Sequence, residues 1–328
     1  MRPALRWGSA RALLLTAVLI GCESEDASPA IKPTSTKPDP REHASAQVED
    51  FVSDPDYAGL ITLLAQPHPL ARELLGPHHL HYSADFYTGP SPELVPLDQP
   101  LPDAKVDEPV LERFVIHDQL DLRWLSAKGA EPRFGLSQKG GEPNASREVI
   151  VIDERIWTQI DERGWFEREL DGDVWMLWLD DAQFALRDAV ELASPRLELG
   201  PVEPTELGGR PALRVTLRRG ESSHPERIVE PPDAWRHEAS IDAISGQLVI
   251  DRATGLWLAC EIELAWHFQD SARRELVGSL RLEGSVEALA EGDALRDSIA
   301  PPEGAKPAFE RDRPELLRER LLDGLAAP

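Results

Sequence analysis

The chain has 328 residues, with 59 acidic against 35 basic side chains and a formal net charge of −24. That balance excludes function classes that depend on dense Lys and Arg, such as nucleic-acid binding and docking onto anionic lipid headgroups. With 41% hydrophobic residues it holds enough apolar material for a substantial core.

The first residues divide into the zones of a secretory leader. Arg2, Arg6 and Arg11 make a positive start, and Ala12 to Ile20 is an uncharged apolar run, too short for a permanent membrane span. The run ends in Leu19-Ile20-Gly21-Cys22. This tetrapeptide resembles the lipobox of bacterial lipoproteins. The resemblance implies cleavage between Gly21 and Cys22, acylation of the Cys22 thiol and a location in the bacterial cell envelope. Glu23, not Asp, follows the cysteine, which by the sorting rule of enteric bacteria implies the outer membrane, facing the periplasm. Cleavage would remove three arginines and take the formal charge to −27. Residues 22–50 are rich in Ser, Pro, Lys, Asp and Glu, and read as the lipidated cysteine and a disordered tether. The folded part is then expected as one domain over residues 51–328.

Tyr57 to Leu75 has helical spacing broken by Pro67 and Pro69, which predicts two short helices. His78 to Tyr87 alternates weakly and reads as a first strand, and Gly89 to Pro109 as a Pro-rich excursion. Strands follow at Leu111 to Trp124 and Glu148 to Ile160, with a short continuation at Gly164 to Leu170. Trp175 to Ala193 predicts a helix, and alternation resumes over Arg210 to Arg218. Ala239 to Ile250 reads as a strand leading into a tight turn, Asp251 to Gly255. Beyond it Leu256, Leu258, Cys260, Ile262, Leu264, Trp266 and Phe268 are expected on one face, and Leu276, Leu280, Leu282 and Val286 repeat the pattern. This is a long antiparallel meander with one dry and one wet face. Pro314 to Leu325 closes the chain as a short helix.

The order of elements, and the stretch Val249 to Leu258 with its Asp-x-x-Thr-Gly turn, are similar to the LolA/LolB/LppX class of bacterial lipoprotein and lipid carriers. That resemblance implies an α+β, β-dominated fold: a large curled antiparallel sheet, an unclosed half-barrel, with a few helices packed on its concave face. It also implies an apolar cavity able to hold a lipid or acyl chain, lined by Leu256, Leu258, Ile262, Leu264, Trp266, Phe268, Leu280 and Leu282. The same residues serve equally as a filled core, in which case the chain is a non-catalytic envelope scaffold.

Chemical signals are sparse. Cys260 lies on the apolar strand face and is expected as packing. His78-His79-x-His81 places His79 and His81 on one strand face, but no further ligand lies nearby in sequence, so no metal site is expected. Asp180-Asp181 on a helix point apart. No nucleophile elbow, zinc-protease helix, phosphate loop or dinucleotide fingerprint occurs. The reading is therefore of a non-enzyme that needs no cofactor, attached to a membrane through its lipid, with no nucleic-acid partner.

Overall fold

The computed structural model describes residues 40–66, 74–102, 111–127, 130–140, 146–160, 164–170, 174–221, 239–270, 272–289 and 298–308. Gly21, Cys22, the apolar leader and the C-terminal helix expected at 314–325 lie outside them, as do the side chains of Trp175, Trp178, Asp180 and Asp181.

Twelve strands form a single sheet that curls without closing. In chain order they are β1 (His78–Gly89), β2 (Phe114–Trp124), β3 (Arg133–Lys139), β4 (Ser146–Ile152), β5 (Arg155–Ile160), β6 (Phe166–Glu169), β7 (Leu197–Leu207), β8 (Arg210–Arg219), β9 (Ser240–Asp251), β10 (Trp257–Gln269), β11 (Glu275–Ala288) and β12 (Lys306–Pro307). The sheet order is β12-β6-β5-β4-β3-β2-β1-β11-β10-β9-β8-β7. Two meanders, β1–β6 and β7–β11, therefore run outward in opposite directions from a central antiparallel β1–β11 pair, in which His78 faces Ala288 and Gly89 faces Val277. The α+β half-barrel expected from the sequence is the fold observed.

Both outer strands carry features that block further pairing. β7 contains Pro201 and Pro204, a register irregularity between Leu199 and Val202, and Glu198, Glu203 and Glu206. β12 is two residues long and ends in Pro307. Missing N–H donors, a bulge and like charges each discourage strand addition.

Among the described residues, helices α1 (Pro40–Ser53), α2 (Tyr57–Leu64) and α3 (Val174–Ala193) accompany the sheet, and the second short helix expected before Leu75 lies largely outside the described residues. α3 connects β6, near one edge, to β7 at the other, so its 20 residues, about 30 Å of helix, travel across the sheet. Its buried Leu179, Ala185, Leu186, Ala189, Val190 and Ala193 join one apolar cluster with the even-numbered residues of β1, β2, β10 and β11. α2 begins with Asp56 as N-cap, whose carboxylate accepts the Gly59 N–H at 2.7 Å.

Three expectations are corrected. The tether read to Asp50 gives way to helix α1 at Pro40, which buries Ala44, Val48 and Phe51. Their i, i+4, i+7 stripe was diluted by the polar composition around it. Glu148 to Ile160 is not one strand but the β4–β5 hairpin, turned at Asp153 (φ 55°) in the left-handed region that Asp tolerates. The third concerns the start of β10. Trp257 pairs with Ile250 and Ala259 with Val249, so two residues of β10 answer one of β9. This bulge puts Trp257, expected on the wet face, into the core cluster, whereas Leu256 and Leu258 are buried outside that cluster. Strands β3, β7 and β12 had no counterpart in the sequence reading.

Candidate functional site

The concave face is the place to test for a cavity. Ile262, Leu264, Trp266, Phe268, Leu280 and Leu282 all turn toward it from β10 and β11, where Ile262 faces Leu282 and Leu264 faces Leu280. With Leu256 and Leu258, these eight side chains are between 0 and 7% exposed. A side chain bordering a void large enough for water would carry accessible surface against it even if the void were sealed. Close packing therefore surrounds these residues in the state described.

Part of that packing is a tryptophan laid over a glycine. Trp266 on β10 stands directly across from Gly278 on β11. A Cβ at Gly278 would lie 2.1–2.4 Å from Cε2, Cζ2 and Nε1 of the indole. The ring thus fills the space that a side chain at 278 would need, and Phe86 of β1 tilts against it at 5.5 Å between centroids. Three same-face pairs further along, Cys260 faces Gly284, with Trp257 reaching the same glycine. Burial pushes the Cys260 thiol up to about 12, aided by the charge of Glu283, so it is an inert core group.

A polar chain interrupts the apolar face at one end. Asp118 of β2 is buried and accepts from the Tyr82 hydroxyl at 2.9 Å and from Gln138 Nε2 at 2.9 Å. Arg147 Nε in turn donates to Gln138 Oε1 at 2.6 Å. Burial holds the Asp118 carboxyl above its ordinary range, against the opposing pull of Gln138, Tyr82 and the Arg147 charge. These residues come from four neighbouring strands, and no sequence spacing connects them.

The turn that follows β9 is a second polar knot. Asp251 is buried, and accepts from Arg210 at 2.8 Å and from Thr254 Oγ1 at 2.5 Å, while its carbonyl takes the Gly255 N–H. Gly255 has φ 73°, and a Cβ there would meet Gln66 and Leu63 inside 3.0 Å. The Asp-x-x-Thr-Gly motif is accounted for by this turn and by the close approach of α2.

On the convex face, histidines pair with aspartates across strands. His79 Nε2 lies 2.6 Å from Asp121 and His81 Nδ1 lies 4.0 Å from it; His117 contacts Asp85 at 2.5 Å, and His267 contacts Asp242 at 2.8 Å. His79 and His81 do share a face, as their spacing requires, with Asp121 beside them. Among the described residues no set of three or more His, Cys, Asp or Glu converges as metal ligands. His78 points inward, and burial lowers its imidazole to about 4. An open groove of about 380 Å³ also lies on this side, between His81, Ser83, Glu261, Glu283 and Ser285, with Gly284 and Cys260 at its base.

No helix among the described residues is long and apolar enough to cross a membrane. No protein-family model matches the sequence, and no curated protein is similar to it. A solved structure with a partial likeness is the crystal structure of a DUF1329 family protein from Desulfovibrio piger. The alignment covers 78% of this chain and 96% of that one at 8% identity, with a TM-score of 0.22. A likeness at that level carries no argument about ancestry or activity.

Proposed function

We propose that this chain is a non-enzymatic lipoprotein of the outer membrane, held on its periplasmic side through Cys22, whose half-barrel takes up a lipid or acyl chain between sheet and helices. The observation that supports uptake is how the apolar face is covered. Helices α1–α3 pack their apolar residues into one cluster with the sheet face, and among the described residues no backbone hydrogen bond joins these helices to the sheet. Lifting a helix would expose apolar surface without breaking the strand ladder, and an acyl chain would offset that cost by covering the same surface. Under this reading the described state is closed, and Trp266 and α3 are the groups a ligand displaces.

A second reading, a solid-cored envelope scaffold, is favoured by the near-zero exposure of the eight candidate lining residues. One experiment separates them. Residues 38–328, expressed without the lipid, are examined by native mass spectrometry and organic extraction, and titrated with an apolar fluorescent probe. Co-purifying lipid, or probe binding competed by fatty acid, supports the carrier. The absence of both sinks it and leaves the scaffold. The anchor is tested apart from this with Cys22→Ser, which is expected to lose palmitate incorporation and membrane fractionation. Labelling and membrane retention that persist in the variant would refute it.

A further inference from the structure

Four large hydrophobic side chains are conspicuously exposed among the described residues, and three of them belong to one corner of the sheet: Leu94 at 81%, Leu97 at 54% and Val115 at 39%. The corner is the connection between β1 and β2. Leucines at a floppy tip would be unremarkable, but this connection is tied down. Arg113, at the foot of β2, donates to three of its carbonyls: Leu97 at 2.9 Å, Gln99 at 3.1 Å and Val95 at 3.1 Å. The Tyr87 hydroxyl donates to the Pro90 carbonyl. The N–H groups of Leu94 and Val95 donate to the Ser91 carbonyl, and that of Gln99 to the Pro96 carbonyl. Pro92 and Pro96 bring no N–H at all. Much of the backbone polarity of the tip is thereby satisfied internally, which is the condition for entering a water-poor phase.

The charges narrow the choice of phase. Glu93, Asp98 and Glu112 are exposed around the leucines. Carboxylates there repel an anionic surface and suit the ammonium groups of zwitterionic headgroups. We propose that the 91–99 turn is a membrane-contact element that sets Leu94 and Leu97 into the surface of a zwitterionic phospholipid bilayer. Two leucines are too few to recruit the protein by themselves. They suffice to orient a domain already held at the surface, because a tether raises the effective concentration of the second contact. The inference rests on the anchored reading for that tether alone.

The test supplies the tether artificially, so that it stands apart from acylation of Cys22. Residues 23–328 carry an N-terminal hexahistidine tag and are held on phosphatidylcholine–phosphatidylethanolamine vesicles containing a nickel-chelating lipid. An environment-sensitive fluorophore is placed on Gln99→Cys and, as a control at the far edge of the sheet, on Glu206→Cys. Cys260, buried with its thiol pushed up to about 12, stays unlabelled in the native state. A blue shift with quenching by spin-labelled lipid is expected at 99 and not at 206. Adding Leu94→Ser and Leu97→Ser should abolish it. An aqueous spectrum at 99, an equal shift at 206, a shift that survives the double serine variant, or one seen only with phosphatidylglycerol vesicles would each overturn the proposal. Palmitate labelling that persists in Cys22→Ser would count against the anchor and leave this measurement unaffected.

Discussion

Gly278→Ala is the substitution on which the packing argument depends most. The new Cβ would sit 2.1 Å from Trp266 Cε2, 2.3 Å from Cζ2 and 2.4 Å from Nε1. Backbone movement cannot relieve this, because β11 is laddered on both sides, to β1 and to β10. The indole must rotate instead, into a face already occupied by Phe86. Overpacking of this kind costs about 3 kcal/mol, or on the order of 5 °C in Tm for a domain of this size. Gly284→Ala is the internal control. Its Cβ would meet Cys260 Sγ at 3.1 Å, the His81 carbonyl oxygen at 3.2 Å and Trp257 Cζ3 at 3.3 Å, contacts that shifts of a few tenths of an ångström relieve. A loss of about 1 kcal/mol or less is expected there. Urea denaturation of the two variants, together with Trp266→Leu and the Trp266→Leu/Gly278→Ala pair, completes a double-mutant cycle. Removing the indole should recover most of the Gly278→Ala loss. If Gly278→Ala is no worse than Gly284→Ala, or if Trp266→Leu fails to rescue it, the tryptophan does not fill the glycine's space. The claim of a closed concave face would then fall with it.

Other expectations are independent of that pair. His78 is buried neutral with its folded pKa near 4, so the unfolded chain, titrating near 6.5, takes up a proton that the fold refuses. Its contribution is complete above pH 6.5 and lost as pH falls toward 4, up to about 3 kcal/mol; His78→Asn should flatten the stability–pH curve across that window, and an unchanged slope would count against it. Asp118 acts in the opposite sense, its raised pKa favouring the fold below the unfolded carboxylate range and costing stability as pH rises through the folded value. Asp118→Leu strands the Tyr82 and Gln138 donors and should cost about 1–3 kcal/mol at pH 7 by chemical denaturation; a neutral outcome would mean that water already serves them. Cys260 should resist a thiol reagent in the native protein and react at the rate of a free cysteine in denaturant; fast native labelling would contradict its burial. Arg113→Met should free the 91–99 turn, seen as new proteolytic cleavage there with global stability within about 1 kcal/mol; resistance equal to the parent would show that Arg113 does not hold the turn.

Much of the second meander was legible beforehand because its signals are local. Period-two alternation over Ile262 to Phe268 and Leu276 to Leu282 says which side of each strand is dry, and Asp251, Thr254 and Gly255 specify a turn from their own conformational preferences. The helix at Val174–Ala193 was legible in the same way. β7 escaped notice because Pro201, Pro204 and a bulge break the alternation that marks a strand, and they do so for a reason that exists only at a sheet edge. Helix α1 escaped because three apolar positions in an acidic, Pro-rich stretch acquire meaning only once α2 and the sheet are there to cover them.

The site divides along the same line. The sequence by itself determined that β10 and β11 own an apolar face and, from Cys260 onward, which of their residues belong to it, since side-chain direction follows from strand geometry alone. That this face is closely packed in the described state is visible only in the tertiary structure. Trp266 fills a space only because register sets it against Gly278; Trp257 reverses sides only because β9 imposes a bulge; and Asp118 finds Tyr82 and Gln138 only when β1, β2 and β3 align. The β1–β11 pairing that joins the two meanders brings together residues some 200 positions apart. Such pairings are decided by which surfaces remain complementary after the local elements have formed, and no short window of sequence contains that information.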